Sequence, residues 1–364
     1  MTQMIFLTMM LPAAGLAVCA GLTAVVRRWA IRTDFVARPR QDRYHRSVVA
    51  MGGGIAIFWT MAALILGGVA IVGLVIAPGA LRWLSPDIER HAEGFMNRLP
   101  ELMVVVAAAF SLHLLGLWDD KRRLGPAVKL AVQFIVAIAA AALADVRVEM
   151  FIDNTLITTA LSVVWIVLII NVFNFLDNMD GLSAGIAAIA TAVLMTAAFR
   201  SGQVFVGAMG LAFFGTLLGF LAFNFPPATI FMGDAGSMVV GFFVALLTLR
   251  TTYYDPAVGT PLYSVLMPAV VMAVPLYDFI TVTFLRLKQG KSPFVGDTQH
   301  FSHRLQRRGL SDRQVALTLY LATLCTGVGG IILQQVNWVG AGLVFAQTVM
   351  MLVIVDILEN TQNK

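Results

Sequence analysis

"ITTALSVVWIVLIINVFNFLDNMDGLSAG", residues 157–185, decides the fold of this chain. Its first twenty residues carry no charge, and at about 1.5 Å per residue a helix of that length crosses roughly 30 Å of hydrocarbon. The second half then gathers Asn171, Asn174, Asp177, Asn178 and Asp180. A hydrated helix end with Gly181 breaking into a turn explains one aspartate well and this whole group poorly. Ionisable groups at membrane depth are costly unless paired, hydrated or metal-bound, which makes them functional candidates. Asn171, Asn174, Asp177 and Asp180 recur every three residues, so on a helix they form a drifting stripe that should face the bundle interior.

Outward from this stretch the same apolar pattern repeats. Of 364 residues, 59% are hydrophobic and 12% charged, and the mean hydropathy is +0.84, far above soluble globular usage. Runs long enough to span a bilayer fall near 4–26, 48–76, 100–118, 127–145, 157–176, 182–199, 204–223, 232–250, 262–285, 315–335 and 338–356. The expectation is an all-α polytopic membrane protein of one domain over 1–364 with about eleven spans. No Lys or Arg precedes the first run and Arg27 and Arg28 follow it, so that run is expected to remain a helix with its N-terminus outside. In that orientation the inner segments 27–47, 119–129, 286–314 and 357–364 hold 19 of the 25 Lys and Arg, as the positive-inside rule requires. The net charge of +5 then reflects topology, and nucleic acid is not an expected partner. Cys19 and Cys325 imply no disulfide framework and are read as buried packing residues.

Every polar cluster falls on the inner side in this arrangement, which puts the site on the cytoplasmic face. In "GLWDDKRRLGPAVKLAVQ" (116–133), Asp119 and Asp120 repel each other unless they share a cation, and Lys129 offers a point charge for phosphate. In "NFPPATIFMGDAGS" (224–237), Pro226 and Pro227 prevent a regular helix, Gly233 permits tight backbone geometry, and Asp234 stands just before the next apolar helix. Alone, Asp234 reads as a helix cap. Among four other aspartates it reads as a ligand for Mg²⁺, which takes one or two carboxylates and completes its shell with water and substrate phosphate. In "GKSPFVGDTQHFSHRLQRRGLSDRQ" (290–314), His300 and His303 share a face with Arg304, Arg307 and Arg308, a cationic surface suited to a diphosphate or to anionic lipid headgroups. "SDRQ" is a capping box that starts the tenth span. "MGGGIAIF" (51–58) has no nucleotide-loop spacing and reads as close helix packing, and His113 as a packed, hydrogen-bonded residue.

Together with "RPRQDRYHRSVVAMGGGIAIF" and "PLYDFITVTFLRLKQGKSPFVGDTQHFSHRLQRRGLS", these motifs resemble those of the polyprenyl-phosphate N-acetylhexosamine-1-phosphate transferases, glycosyltransferase family 4, from about residue 38 to 314. Two further helices, 315–364, follow. The resemblance implies a multi-pass enzyme of the bacterial inner membrane with Mg²⁺, or alternatively Mn²⁺, as cofactor. It would transfer a sugar phosphate, GlcNAc-1-phosphate first among them, from a UDP-N-acetylhexosamine to undecaprenyl phosphate. The products are UMP and the lipid-linked sugar that starts a cell-envelope glycan such as a lipopolysaccharide or other polysaccharide. Homodimerisation is left open.

By matching position, the resemblance makes Asp119, Asp120, Asp177 and Asp180 catalytic and Asp234 with Asp177 metal-binding. His45, Lys129, Asn174, Asn224, Phe231, His300, His303 and Arg304 become substrate-binding, with Phe231 stacking on uracil. Two positions depart from the common pattern: Asn178 where many members have Gly, and Ser302 where they have His. The triple-histidine run of the phospho-MurNAc-pentapeptide transferases is absent, although that activity remains an alternative. The alternative of another class is a transporter for a lipid-linked or anionic solute, which should place ionisable groups near the midplane and on both sides.

Overall fold

The computed structural model describes residues 2–38, 48–76, 86–148, 152, 154–255, 259–292 and 299–360. Fourteen helices form among these residues: α1 (Thr2–Arg32), α2 (Gly53–Ile71), α3 (Pro86–Asn97), α4 (Leu99–Arg122), α5 (Pro126–Leu143), α6 (Thr155–Leu176), α7 (Leu182–Arg200), α8 (Val204–Asn224), α9 (Asp234–Arg250), α10 (Met267–Val271), α11 (Ala273–Lys288), α12 (Phe301–Arg307), α13 (Asp312–Leu333) and α14 (Trp338–Asn360). Each of the eleven apolar runs is helical. Among the described residues nine helices are long and apolar enough to cross a membrane. The run 262–285 is a tenth, broken segment, bent by 65° between Leu262–Val271 and Ala273–Lys288. The remaining run is α9, only 17 residues long.

α9 is the axis of the bundle. Every residue from Ala235 to Leu249 is buried, and α2, α4, α6, α7 and α8 pack around it. A helix apolar on all sides is suited either to lipid or to the centre of a bundle, and burial along its whole length puts α9 at the centre. The helices outside it expose large apolar side chains, among them Ile135 and Ile138 on α5 and Val164 on α6, as lipid contact demands.

Small residues set the close crossings. A Cβ on Gly116 would stand 2.3 Å from Ala235 Cα, and one on Gly54 2.2 Å from the Gly236 nitrogen. These contacts let α4 and α2 lie against the first turn of α9. His113, one turn before Gly116, hydrogen-bonds through Nδ1 to the Ala235 carbonyl at 3.1 Å and stacks on Phe58 with ring centres 4.7 Å apart. The close-packing reading of "MGGGIAIF" and the packed reading of His113 therefore both hold.

Four features differ from the sequence reading or add to it. A short antiparallel pair joins Val36–Ala37 (β1) to Val49–Ala50 (β2), and Ala50 bridges Ile230 in parallel. Between the apolar runs 48–76 and 100–118, which the sequence leaves unassigned, lies the amphipathic helix α3. Cys325 is exposed while Cys19 is buried, which corrects the expectation for Cys325: it lies on the side of α13 turned away from the bundle. The predicted capping box is formed, with Ser311 accepting from the Gln314 amide and the Gln314 side chain accepting from the Ser311 amide.

Candidate active site

The polar stripe stops being helical at its third member. α6 ends at Leu176, Asp177 is its C-cap at φ −77°, ψ 35°, and Gly181 at φ +72° starts α7. Asp177 and Asp180 therefore lie on a turn, which corrects the continuous stripe. The helix gives way here as Asn178 donates from its side chain to the Phe175 carbonyl at 2.6 Å, a local alternative to the helical ladder, and Gly181 takes the left-handed conformation that side chains disfavour. The two helical asparagines do point inward. Asn171 donates to Gln133 Oε1 at 2.7 Å and Asn174 to Ser237 Oγ at 2.9 Å, tying α6 to α5 and α9.

The ends of α4, α5, α6 and α9 meet around the first turn of α9. Asp120 accepts from the Asp234 amide at 2.9 Å and from the Ala235 amide at 3.3 Å, so a carboxylate distant in sequence satisfies two of the helix's free donors. Gly233, at φ +71°, has no room for a Cβ, which would meet Asp120 Oδ2 at 2.6 Å. Lys129 donates to Asp119 at 3.0 Å and to Asp234 at 2.9 Å, so the shared cation lies between these two carboxylates and not between the adjacent pair. The Leu124 amide holds the other oxygen of Asp119 at 2.5 Å.

Asp177 lies close enough to the Gly233 backbone and to Asp234 for both to act on its carboxyl. Burial, followed by the charges of Asp234 and Asp120, holds its carboxyl well above the usual carboxylate range. Among the described residues no three His, Cys, Asp or Glu side chains form a ready metal cage. The donor set still fits Mg²⁺. Asp120, Asp177 and Asp234 repel one another across the first turn of α9, with Lys129 reaching only one of them, and a hard cation that takes one or two carboxylates plus substrate oxygens relieves that excess.

On the far side of Asp177 the 224–231 loop closes the site. Asp180 accepts from the Ala228 amide at 2.8 Å. Asn224, buried, accepts from the Gly181 amide at 3.0 Å and donates to the Ile230 carbonyl at 2.9 Å, so both ends of its amide join loop to loop. Phe231 is half-buried, its amide donating to the Ala50 carbonyl. His45 lies outside the described residues.

α12 lies alongside. His300, its N-cap, and His303 are both buried, with rings edge-to-face at 6.4 Å. Burial pulls His303 below the usual imidazole range, partly countered by its hydrogen bond to Gln306. The two departures from the common pattern meet: Ser302 donates to Asn178 Oδ1 at 2.6 Å, joining α12 to the Asp177 turn.

Of the candidates, Asp119, Asp120, Lys129, Asp177, Asp180, Asn174, Asn224, Phe231 and Asp234 thus belong to one contiguous site, with His300 and His303 beside it through Ser302. Sequence reasoning gave no role to Asp278, which holds His300 Nδ1 at 2.8 Å and the Phe301 amide at 2.8 Å, or to Arg286, whose guanidinium lies 3.3 Å from His300 Nε2 and over the Phe175 ring. A lone Asp inside the apolar run 262–285 was the available signal.

Residues 102–252 match the family described as Glycosyl transferase family 4. A "Decaprenyl-phosphate N-acetylglucosaminephosphotransferase" of Mycobacterium leprae is 32% identical over 329 residues, covering 82% of this chain and 77% of the relative. The chain belongs to glycosyl transferase family 4. Two further members of the family are similar along most of their length. A "Probable undecaprenyl-phosphate N-acetylglucosaminyl 1-phosphate transferase" of Bacillus subtilis is 29% identical over 92% of this chain and 88% of its own. An "Undecaprenyl-phosphate alpha-N-acetylglucosaminyl 1-phosphate transferase" of Yersinia pestis is 25% identical over 86% and 81%. The family match covers the segment from α4 to the end of α9, which contains every carboxylate of the site.

Proposed function

We propose that this chain transfers N-acetylglucosamine-1-phosphate from UDP-GlcNAc to undecaprenyl phosphate at the cytoplasmic face of a bacterial inner membrane, releasing UMP. The observation that carries this reading is the meeting of Asp120, Asp177, Asp234 and Lys129 at one end of a membrane bundle. The basic inner segments argue for the cytoplasmic side. The gathering of the five aspartates Asp119, Asp120, Asp177, Asp180 and Asp234 at one end supports group transfer over transport.

In the reaction a lipid phosphate oxygen bonds to the sugar-bearing phosphorus, the bond from that phosphorus to the bridging oxygen breaks, and UMP leaves with the electron pair. The nucleophile is already anionic near neutral pH, so positioning and charge neutralisation supply most of the catalysis. Mg²⁺ held by Asp234 and Asp177 would supply charge neutralisation at the diphosphate. Lys129 holds Asp119 and Asp234 in register and brings a positive charge to the acceptor side. Asp120 fixes the first turn of α9, and thereby Asp234. Asp180 and Asn224 shape the loop that presents Phe231 to the uracil ring, and α12 presents His303 and Arg304 to the diphosphate. Absence of the triple-histidine run favours GlcNAc over the MurNAc-pentapeptide donor.

Purified protein with UDP-GlcNAc, undecaprenyl phosphate and Mg²⁺ is expected to release UMP. EDTA should reduce the rate to background, and added Mg²⁺ should restore it. A panel of UDP-sugars tests the donor: turnover with UDP-MurNAc-pentapeptide alone would replace the proposed donor. No UMP from any donor would overturn the reading.

A further inference from the structure

Asn178, the residue after Asp177, uses both ends of its side-chain amide. Its Nδ2 donates to the Phe175 carbonyl at 2.6 Å, one of the acceptors that the end of α6 leaves free. Its Oδ1 accepts from Ser302 Oγ on α12 at 2.6 Å. Phe175 is fastened through its ring as well: His300 meets that ring edge-on with centres 5.8 Å apart, and the Arg286 guanidinium of α11 lies over it at 5.0 Å. The last turn of α6 is thus tied to both α11 and α12 within two residues of Asp177.

Ser302 is in turn held in place by Asp278 on α11, and both are fully buried. Asp278 accepts from the Phe301 amide at 2.8 Å and from His300 Nδ1 at 2.8 Å, which fixes the first turn of α12. With Nδ1 donating to a carboxylate, His300 Nε2 accepts from Arg286 Nη2 at 3.3 Å, because a guanidinium has no acceptor to offer. Both ring nitrogens of His300 are therefore engaged inside the protein. The contacts run without a gap from Asp278 through the first turn of α12, Ser302 and Asn178 to the turn that carries Asp177 and Asp180.

For stability alone, a buried hydrogen-bonded pair has little advantage over two apolar groups of the same shape. What a satisfied polar network adds is one definite arrangement. We propose that Asn178 and Ser302 are positioning residues: through their hydrogen bond α12 sets the Asp177 carboxyl against Asp234, at the separation at which both meet one divalent cation. This rests on the reading of Asp177 and Asp234 as the Mg²⁺ ligands.

The test is the Mg²⁺ dependence of the melting temperature of the full-length protein in detergent, which reads metal affinity without turnover, with kcat measured alongside. Ser302→Thr and Ser302→Val add similar volume at one position, and only the first keeps the hydroxyl. Ser302→Val is expected to raise the half-saturating Mg²⁺ about tenfold and to lower kcat at limiting Mg²⁺ by a similar factor, the scale on which groups behind a metal's ligands act. Ser302→Thr should stay within about threefold of wild type in both, as rescue by the retained hydroxyl requires. Asn178→Ala should lose at least as much as Ser302→Val. The double variant Asn178→Ala/Ser302→Ala should be no worse than Asn178→Ala, since Ser302 acts through Asn178. If the extra methyl groups prevent folding, Ser302→Ala against wild type carries the comparison, with the same rise of about tenfold.

Equal Mg²⁺ dependence in the Thr and Val variants, or in Ser302→Ala and wild type where that pair replaces them, overturns the proposal. It does so even where the variant without the hydroxyl melts lower, because the hydrogen bond is then merely structural. Losses that add in the double variant overturn it too. A wild type whose melting does not respond to Mg²⁺ removes the reading of Asp177 and Asp234 as ligands, and this inference with it. A wild type that responds while Ser302→Val tracks Ser302→Thr removes this inference alone.

Discussion

Asp177→Asn is expected to raise the melting temperature of the metal-free protein while lowering turnover about 10²–10³-fold, the scale on which one preorganised electrostatic group acts in a desolvated site. The opposed signs follow from where the carboxyl lies. Its pKa in the folded protein is raised by burial and by Asp234 and Asp120, so the folded state disfavours the charged form that the unfolded chain accepts above about pH 4. As pH rises past that point the unfolded chain gives up its proton first, and stability falls until the folded carboxyl also ionises. The melting-temperature gain of the variant in EDTA should therefore widen from pH 5 to pH 8.

Mg²⁺ should reverse the ranking. An ion that binds only the folded protein stabilises it by mass action, and the wild type keeps both proposed ligands where the variant keeps one. Thermal melts across pH, with and without Mg²⁺, check all three statements together with a turnover assay. A variant less stable than wild type in EDTA would mean that Asp177 is a structural hydrogen-bond acceptor and that its repulsion from Asp234 and Asp120 is minor.

The second large effect is expected far from any titratable atom. Gly116→Val should abolish turnover and lower the melting temperature by several degrees. A Cβ there meets Ala235 Cα and nitrogen at 2.3 Å and the Asp234 carbonyl carbon at 2.4 Å. All three are backbone atoms, so no rotamer change relieves the clash and α4 must move away from α9. Overpacking of this kind costs about 1–3 kcal/mol or more, and the displacement carries Asp120 away from the Asp234 and Ala235 amides. Gly67→Ala on α2, where a Cβ meets nothing within 4 Å, is the matched control and should leave turnover intact with a small gain from helix propensity. Equal behaviour of the two variants would show that the close crossing of α4 and α9 does not set the site.

How much of this was legible in the sequence depends on whether a feature is local. All eleven apolar runs are helices because hydrophobic length is written residue by residue, and the Ser311–Gln314 capping box is a four-residue pattern. The carboxylates of the site stood out because aspartates are conspicuous beside lipid-soluble runs. What they bind within the protein was not legible. Asp120 was an expected partner of Asp119 and instead caps α9, because the close crossing at Gly116 brings that helix end to it. Lys129 bridges to Asp234 for the same reason. The exposure of Cys325, the β1–β2 pair with its bridge to Ile230 and the burial of Arg304 against Glu359 all depend on which elements are neighbours in space, which no single window of sequence records. The Asn178–Ser302 hydrogen bond is the sharpest instance: two separate departures from a common pattern become one contact.

The burial of α9 on every side also bears on how the molecule is made. The five helices around it, α2, α4, α6, α7 and α8, all precede it in the chain, and membrane proteins are threaded from the N-terminus as they emerge from the ribosome. The central helix is therefore synthesised last among its own contacts and enters a sheath already laid down. Nascent chains arrested before residue 234 should hold an open slot along their axis, and those arrested beyond residue 250 should have it filled.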